Sequence, residues 1–371
     1  VKRVAAVAGA RSSRRSPATQ PVLIVYHALA GRFTAVEGLP GRPVMRAIDC
    51  PLGQWAIRVA VEGEQLITLD AQTRMIAVID LAALAHDRCA VTRTPLASGQ
   101  LPHRGRLIDD RLYVVYFGDN IVEEYRWPER TLIRTFRFAS ADNLDLADVA
   151  RIDGRLVVAA TGYHCFERVC PNGRFGTARL YFAANRWPFP SVPAANVNAS
   201  LIYVHPSPPS RWLLESGDLA GGWSSLQRID RVRGGLGTRL GPALKLPRAA
   251  GIATAFPLGR LFVIMQMLGE HLFLVDAATG QLKRIARFDG ARFVDMPLDT
   301  AELPERADSA FQDMVPEPGA PLRFYLVDRR GERLVHVEAA GDELALNVLN
   351  VIPLRRETFQ SSPNWAVWCG G

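Results

Sequence analysis

Short apolar runs separated by turn residues recur along the whole chain, and they come in pairs. Val22-Leu23-Ile24-Val25 precedes Phe33-Thr34-Ala35-Val36-Glu37, Gln65-Leu66-Ile67-Thr68 precedes Ile76-Ala77-Val78-Ile79-Asp80, and Arg111-Leu112-Tyr113-Val114-Val115 precedes Ile121-Val122-Glu123-Glu124-Tyr125. Arg155-Leu156-Val157-Val158 and Ala178-Arg179-Leu180-Tyr181-Phe182 form a fourth pair, and Arg211-Trp212-Leu213-Leu214 and Ser225-Leu226-Gln227-Arg228-Ile229-Asp230 a fifth. Arg260-Leu261-Phe262-Val263-Ile264 with Leu272-Phe273-Leu274-Val275-Asp276, and Arg323-Phe324-Tyr325-Leu326-Val327 with Leu334-Val335-His336-Val337-Glu338, complete the series. Runs of this length, rich in β-branched and aromatic residues and bounded by Gly, Pro and Asp, predict strands. No long run has helical periodicity, so the chain reads as all-β.

The pairs form a repeat. Anchored on residues 23, 66, 112, 156, 212, 261 and 324, successive units lie 43, 46, 44, 56, 49 and 63 residues apart. A four-stranded propeller blade takes roughly 40 to 50 residues, and the longer intervals then hold loop insertions. An apolar segment precedes most pairs, at residues 55–59, 105–108, 147–152, 200–204, 252–256 and 311–315, and another follows, as at 132–136 and 282–286. Four strands per unit predict a seven-bladed β-propeller over residues 21–371, with residues 1–20 as a basic flexible tail. The first unit lacks room for a preceding innermost strand. Ser362-Pro363-Asn364-Trp365-Ala366-Val367-Trp368-Cys369 supplies one, so the N- and C-terminal strands are expected to pair and close the ring without a free sheet edge.

Two stretches carry a family likeness: Leu66-Ile67-Thr68-Leu69-Asp70-Ala71-Gln72-Thr73-Arg74-Met75-Ile76-Ala77-Val78-Ile79-Asp80, and Leu272-Phe273-Leu274-Val275-Asp276-Ala277-Ala278-Thr279-Gly280-Gln281-Leu282. Strand, short polar turn and strand ending in Ile-Asp, with a Thr-containing turn, resemble the YVTN-repeat (YncE-like) seven-bladed propellers of bacteria, within the quinoprotein amine dehydrogenase β-chain-like grouping. No Tyr-Val-Thr-Asn tetrapeptide occurs. The resemblance implies the fold and leaves function open, because such propellers serve many roles.

Charge changes the picture less than its total suggests. The net charge of +7 comes from 44 Lys and Arg against 37 Asp and Glu. Five of the bases (Lys2, Arg3, Arg11, Arg14 and Arg15) lie in residues 1–20, which have no acid, so residues 21–371 hold 39 bases against 37 acids. The ring is nearly neutral, and nucleic-acid binding through the tail ranks last among the readings. No apolar stretch is long enough to span a membrane. Ala28-Leu29-Ala30 resembles the end of a secretory signal, but residues 22–25 fit better as the first strand. Five cysteines stand at positions 50, 89, 165, 170 and 369. For Cys165 and Cys170, in one turn-rich loop, a disulfide is the first reading, two free thiols the second and a metal site with His164 the third. Cys50, Cys89 and Cys369 read as small buried apolar residues.

Candidate chemistry sits where a propeller offers it, at the ends of the innermost strands and in the inserted loops. His103, Asp148, His205 and Asp313 fall at the channel mouth by alignment. Each reads first as a strand-end hydrogen-bonding group, and becomes a candidate base or ligand only if they converge. Asp218 and Trp223, in Glu215-Ser216-Gly217-Asp218-Leu219-Ala220-Gly221-Gly222-Trp223-Ser224, could grip a ligand or fold back as a hairpin turn. The proline-rich stretch from Arg186 through Pro209 reads as a surface connection, and residues 295–321 as a solvated acidic loop. There is no Gly-x-Ser-x-Gly, His-Glu-x-x-His, P-loop or dinucleotide fingerprint. The expectation is a monomeric, non-catalytic binding or scaffold propeller without cofactor or metal, exported to a periplasmic or extracellular compartment, which engages a protein, peptide or small-molecule ligand on its loop face. The alternative is a lactonase-like hydrolase with its site at the channel mouth.

Overall fold

The computed structural model describes residues 21–99, 101–117, 119–138, 144–162, 178–184, 188–196, 199–215, 224–231, 238–247, 252–266, 269–300, 309–341, 344–354 and 363–370. Seven antiparallel sheets succeed one another along the chain, and we number them as blades. The chain begins each of blades 2 to 7 on its innermost strand: Ile57–Glu62, Pro102–Ile108, Leu146–Ile152, Ala199–His205, Ile252–Leu258 and Phe311–Glu317. The sheet then meanders outward, with a fifth short strand in blades 5 and 6. All seven expected strand pairs occupy the two middle places of their blades. Blade 1 runs outward-in from Val44–Ile48 through Arg32–Glu37 and Val22–His27 to Pro363–Cys369. The ring therefore closes as expected, with Leu23 opposite Trp368 and Val25 opposite Ala366.

Each apolar cluster lies between two neighbouring blades. Ile67 and Leu69 of blade 2 pack on Leu112, Val114 and Tyr116 of blade 3, while Leu66, Ala77 and Ile79 of the same blade pack on Ile24, Tyr26 and Trp365 of blade 1. Successive residues of a strand point to opposite faces, so odd and even positions serve different interfaces. This explains the unbroken apolar runs in the middle strands: both faces are buried. The recurring Asp-containing turn also has a physical role. Asp70 accepts the N–H groups of Gln72 and Thr73 at 3.0 Å, and Asp276 those of Ala278 and Thr279 at 3.0 and 2.8 Å. Both are Asx turns that fix the hairpin.

Several expectations need correction. Cys50 and Cys89 are not isolated buried residues; they form a disulfide with Cα atoms 4.9 Å apart, tying the link between blades 1 and 2 to the outer part of blade 2. Cys369 is buried as expected, its thiol donating to Leu81 O at 3.2 Å. A short helix, Leu81–Ala85, was not anticipated; the Asp80 carboxylate caps it by accepting Ala83 N–H at 2.8 Å. The stretch taken as a surface connection contains the strand Ser191–Pro193 and the innermost strand of blade 5. Pro193 ends the outer strand and the other prolines lie outside both, which leaves the innermost one free to pair. Residues 1–20, Cys165, Cys170, Asp218 and Trp223 lie outside the described residues.

Trp365 concentrates the closure. Its ring stacks on Tyr26 at 4.6 Å, and its Nε1 donates to Ala56 O at 2.9 Å. Trp365→Ala is expected to cost about 3–5 kcal/mol in urea unfolding, and deletion of residues 363–371 to abolish cooperative unfolding. A Trp365→Ala loss below about 1 kcal/mol would show that the terminal strand adds little.

Candidate functional site

Because blades 2 to 7 start on their innermost strands, these strands all begin on one side of the ring, the front face. Their inner edges face the central channel with no further strand to pair. Every innermost strand carries a register shift in its first half. The extra residues are Val59, His103, Ala147, Ser200, Ala253 and Gln312 in blades 2 to 7, and Asn364 in blade 1. Such bulges re-aim side chains at barrel rims.

Behind the bulges stand two arginine–aspartate clamps. Asp148 of blade 4 is fully buried, and both its oxygens are saturated. Oδ1 accepts Arg106 Nε at 3.0 Å and Val149 N–H at 2.9 Å; Oδ2 accepts Arg106 Nη2 at 2.8 Å and the N–H of Ile202, in blade 5, at 2.9 Å. One carboxylate thus joins blades 3, 4 and 5. Asp313 of blade 7 repeats the device. It takes Arg58 of blade 2 through a fork of 2.6 and 2.7 Å and accepts the N–H of Ala366, in blade 1, at 3.0 Å. Arg58 also donates to Ala366 O, so both backbone groups of that open edge are satisfied. Asp313 is therefore a buried strand residue and not part of a solvated loop.

The two acids respond differently to burial. For Asp148 burial raises the pKa, but Arg106 and then Arg104 outweigh it and hold the group below the ordinary carboxylate range. For Asp313 burial dominates over the single Arg58 and leaves the pKa raised. The second guanidinium decides the sign.

His103 shares the neighbourhood of Asp148. It is open to the channel, yet the wall crowds it; burial and then the Arg104 charge lower its pKa to about 4, so it is neutral at pH 7. Its ring lies 4.8 Å from that of Phe117. His205 is elsewhere, at the rear end of its strand, where Nε2 donates towards Ser207 O and Gly259 O at 2.9 and 3.1 Å, and Nδ1 accepts Tyr203 Oη–H at 2.8 Å. The four predicted residues thus divide into three places: His103 with Asp148, Asp313 with Arg58, and His205 at the opposite face. Among the described residues no group of three or more His, Cys, Asp or Glu side chains could hold a metal ion.

Sequence reasoning missed Arg58, Arg104 and Arg106. The signal was present: basic side chains in the middle of innermost strands, in His103-Arg104-Gly105-Arg106, must find acids if the strand is packed on both sides. Gly105 lets the strand approach blade 2, since a Cβ there would stand 2.5 Å from Val59 Cγ2. Also missed were the residues that lead into blades 2, 3 and 4. Trp55, Leu101 and Asp145 all have positive φ, at 59°, 55° and 47°, and Trp55 and Leu101 are 41% and 55% exposed at the front face. The Arg329 guanidinium covers the Trp55 ring at 4.4 Å.

No protein-family model and no curated protein sequence matches the chain. Solved structures do match it in fold. A "putative 6-phosphogluconolactonase" from Bacteroides fragilis superposes with a TM-score of 0.60 at 10% identity, covering 95% of this chain and 100% of its own. A protein from Lactobacillus plantarum gives 0.60 at 11% identity over 94% and 99%. Virginiamycin B lyase from Staphylococcus aureus gives 0.55 at 9% identity over 84% and 87%. At these identities the likeness establishes the propeller fold alone.

Two outcomes follow from the clamps. Asp148→Asn should lower stability at pH 7 by about 3 kcal/mol, the low end for a broken buried pair because Arg106 is partly open to the channel. Since the folded pKa of Asp148 is lowered, its contribution is present above the unfolded value and fades as pH falls through the folded one. The raised pKa of Asp313 acts oppositely: the wild-type advantage over Asp313→Asn should widen between pH 7 and pH 4. Urea unfolding of both variants at the two pH values checks this, and parallel trends would refute the assigned directions. Leu101→Gly, which relieves a left-handed leucine, should raise stability by about 1 kcal/mol.

Proposed function

We propose that this protein is an exported propeller that binds its ligand at the front face and channel without transforming it. The observation that carries the reading is the saturation of the channel carboxylates. Asp148 has two donors on each oxygen and Asp313 is held by a guanidinium fork and backbone N–H groups, so neither is placed to take a proton from water or to ligate a metal. His103 is neutral, and among the described residues the nearby carboxylate, Asp148, is already taken by Arg106 and backbone N–H groups. Exposed Trp55 and Leu101, held in a costly backbone conformation at the same face, suit a contact surface. The Cys50–Cys89 disulfide supports an oxidising compartment, periplasmic or extracellular. A monomer belongs with this reading, since pairing of the terminal strands closes the ring within one chain. The YVTN-repeat assignment belongs with this reading and rests on the Asp-turn phrase.

The alternative hydrolase is tested directly. Purified protein mixed with 6-phosphogluconolactone and with simple γ- and δ-lactones at pH 7 is expected to leave the spontaneous hydrolysis rate unchanged. Hydrolysis above that rate which is lost in His103→Ala or Asp148→Asn would overturn the binding reading. For the compartment, a non-reducing digest should yield a peptide pair joined through Cys50 and Cys89; free thiols at both positions in protein from its native source would remove that support.

A further inference from the structure

Resting on the binding reading above, we propose that the channel is a site for a small organic anion, a carboxylate or a phosphate ester, whose charged group is held by Arg104. Donors and acceptors around Asp148 are out of balance. Asp148 is the acid around which two guanidiniums gather, but its acceptor positions are filled by Arg106, Val149 N–H and Ile202 N–H. A carboxylate offers about four lone-pair sites, and four donors occupy them. Arg104 is left 3.8 Å from Oδ1, outside hydrogen-bond range, and no described acid lies nearer. Its side chain is 23% exposed, so its charge is partly removed from water without a full partner. Burial outweighs the favourable charge of Asp148 and, with repulsion from Arg106, weighs against the protonated form of Arg104.

The surroundings supply the rest of a site. The register shift at His103 sets that side chain and Arg104 on consecutive positions of a distorted strand, with His103 open to the channel. Beyond Arg106, toward the rear face, a channel cavity of about 360 Å³ extends between the innermost strands of blades 3 to 6. Arg106 and Arg151 are among its lining residues, none of them acidic, and its other walls include Ile108, Leu201, Val204 and Thr254. That volume lies in the range of small-ligand sites, which join a few placed polar groups to apolar walls. Arg104 supplies charge and fork geometry, and the guanidinium of Arg106, already fixed by Asp148, lies beside it as a rigid neighbour. An anion entering here gains a partly desolvated cation whose one described acid, Asp148, is hydrogen-bonded to Arg106 instead. A cation in the cavity would meet Arg106 and Arg151.

Inorganic phosphate and succinate serve as probes, each titrated at constant ionic strength against sodium chloride, with thermal unfolding as the readout. The wild-type protein should show a saturable rise in Tm with one or both: phosphate alone assigns a phosphate ester, succinate alone a carboxylate. Arg104→Gln should weaken that response at least tenfold, and Arg104→Lys should restore part of it. In the absence of either probe, Arg104→Gln should keep or raise the wild-type Tm, because it removes a surplus buried charge. A Tm well below wild type would show that Arg104 is a structural partner of Asp148 and would overturn the proposal. So would equal responses in wild type and Arg104→Gln, or no wild-type response to either probe. These last results would leave intact a front face that binds a protein or peptide, whereas lactone turnover would overturn the binding reading and leave the anion site standing.

Discussion

Every apolar cluster in this ring is shared between two blades, so a single sheet removed from its neighbours would expose both of its faces to water. A four-stranded sheet of this kind has no interior of its own. Its stability is borrowed from the blades on either side, and theirs from the next, until the chain of dependence returns to its start. The pairing of Val22–His27 with Pro363–Cys369 is what makes that return possible. The alternating tryptophans of the last strand suit this role. Trp365 stacks on Tyr26 within blade 1 and reaches the start of blade 2 at Ala56, while Trp368 packs toward blade 7 through Tyr325 and donates to Pro316 O at 2.7 Å.

Closing the ring at its rim leaves a second problem at its centre, where seven strands present open edges to the channel. Two aspartates answer it in the same way. Each sits third in its strand, accepts a backbone N–H from the following blade, and draws an arginine from another. Blades 3, 4 and 5 are joined by one clamp, and blades 7, 1 and 2 by the other. Blade 6 stands between them, and its innermost strand contributes Thr254 to the channel cavity. Both carboxylates are engaged in holding blades together. What they leave over is positive charge, the asymmetry on which the proposed anion site rests.

The architecture was legible because its signal is repeated. Seven pairs of apolar runs, punctuated by Gly, Pro and Asp at blade-sized intervals, carry more information than any single strand, and the missing innermost strand of the first unit pointed to residues 362–369. The site was much less legible. His205 and Asp148 both sit in innermost strands, yet they lie toward opposite faces, a difference set by position along the strand. The Cys50–Cys89 bridge joins residues 39 positions apart that meet only because blade 2 folds outward beside the link from blade 1. Register shifts leave no mark in composition: Val59, Ala147 and Gln312 share a backbone irregularity and no chemistry. Arg58 could have been suspected from its place in an apolar strand, but its partner Asp313 is 255 positions away and could be matched to it only in three dimensions.

The terminal pairing also has a consequence in time. Trp365 meets Ala56 across 309 positions of chain, so the contact that completes blade 1 cannot form until all seven blades have been made. Earlier than that, a growing chain has blades with an uncovered face at each end and a first sheet with a free inner edge. Such intermediates are aggregation-prone, and contacts of this sequence separation form late in folding. The strand that seals the ring thus also sets when the ring can exist.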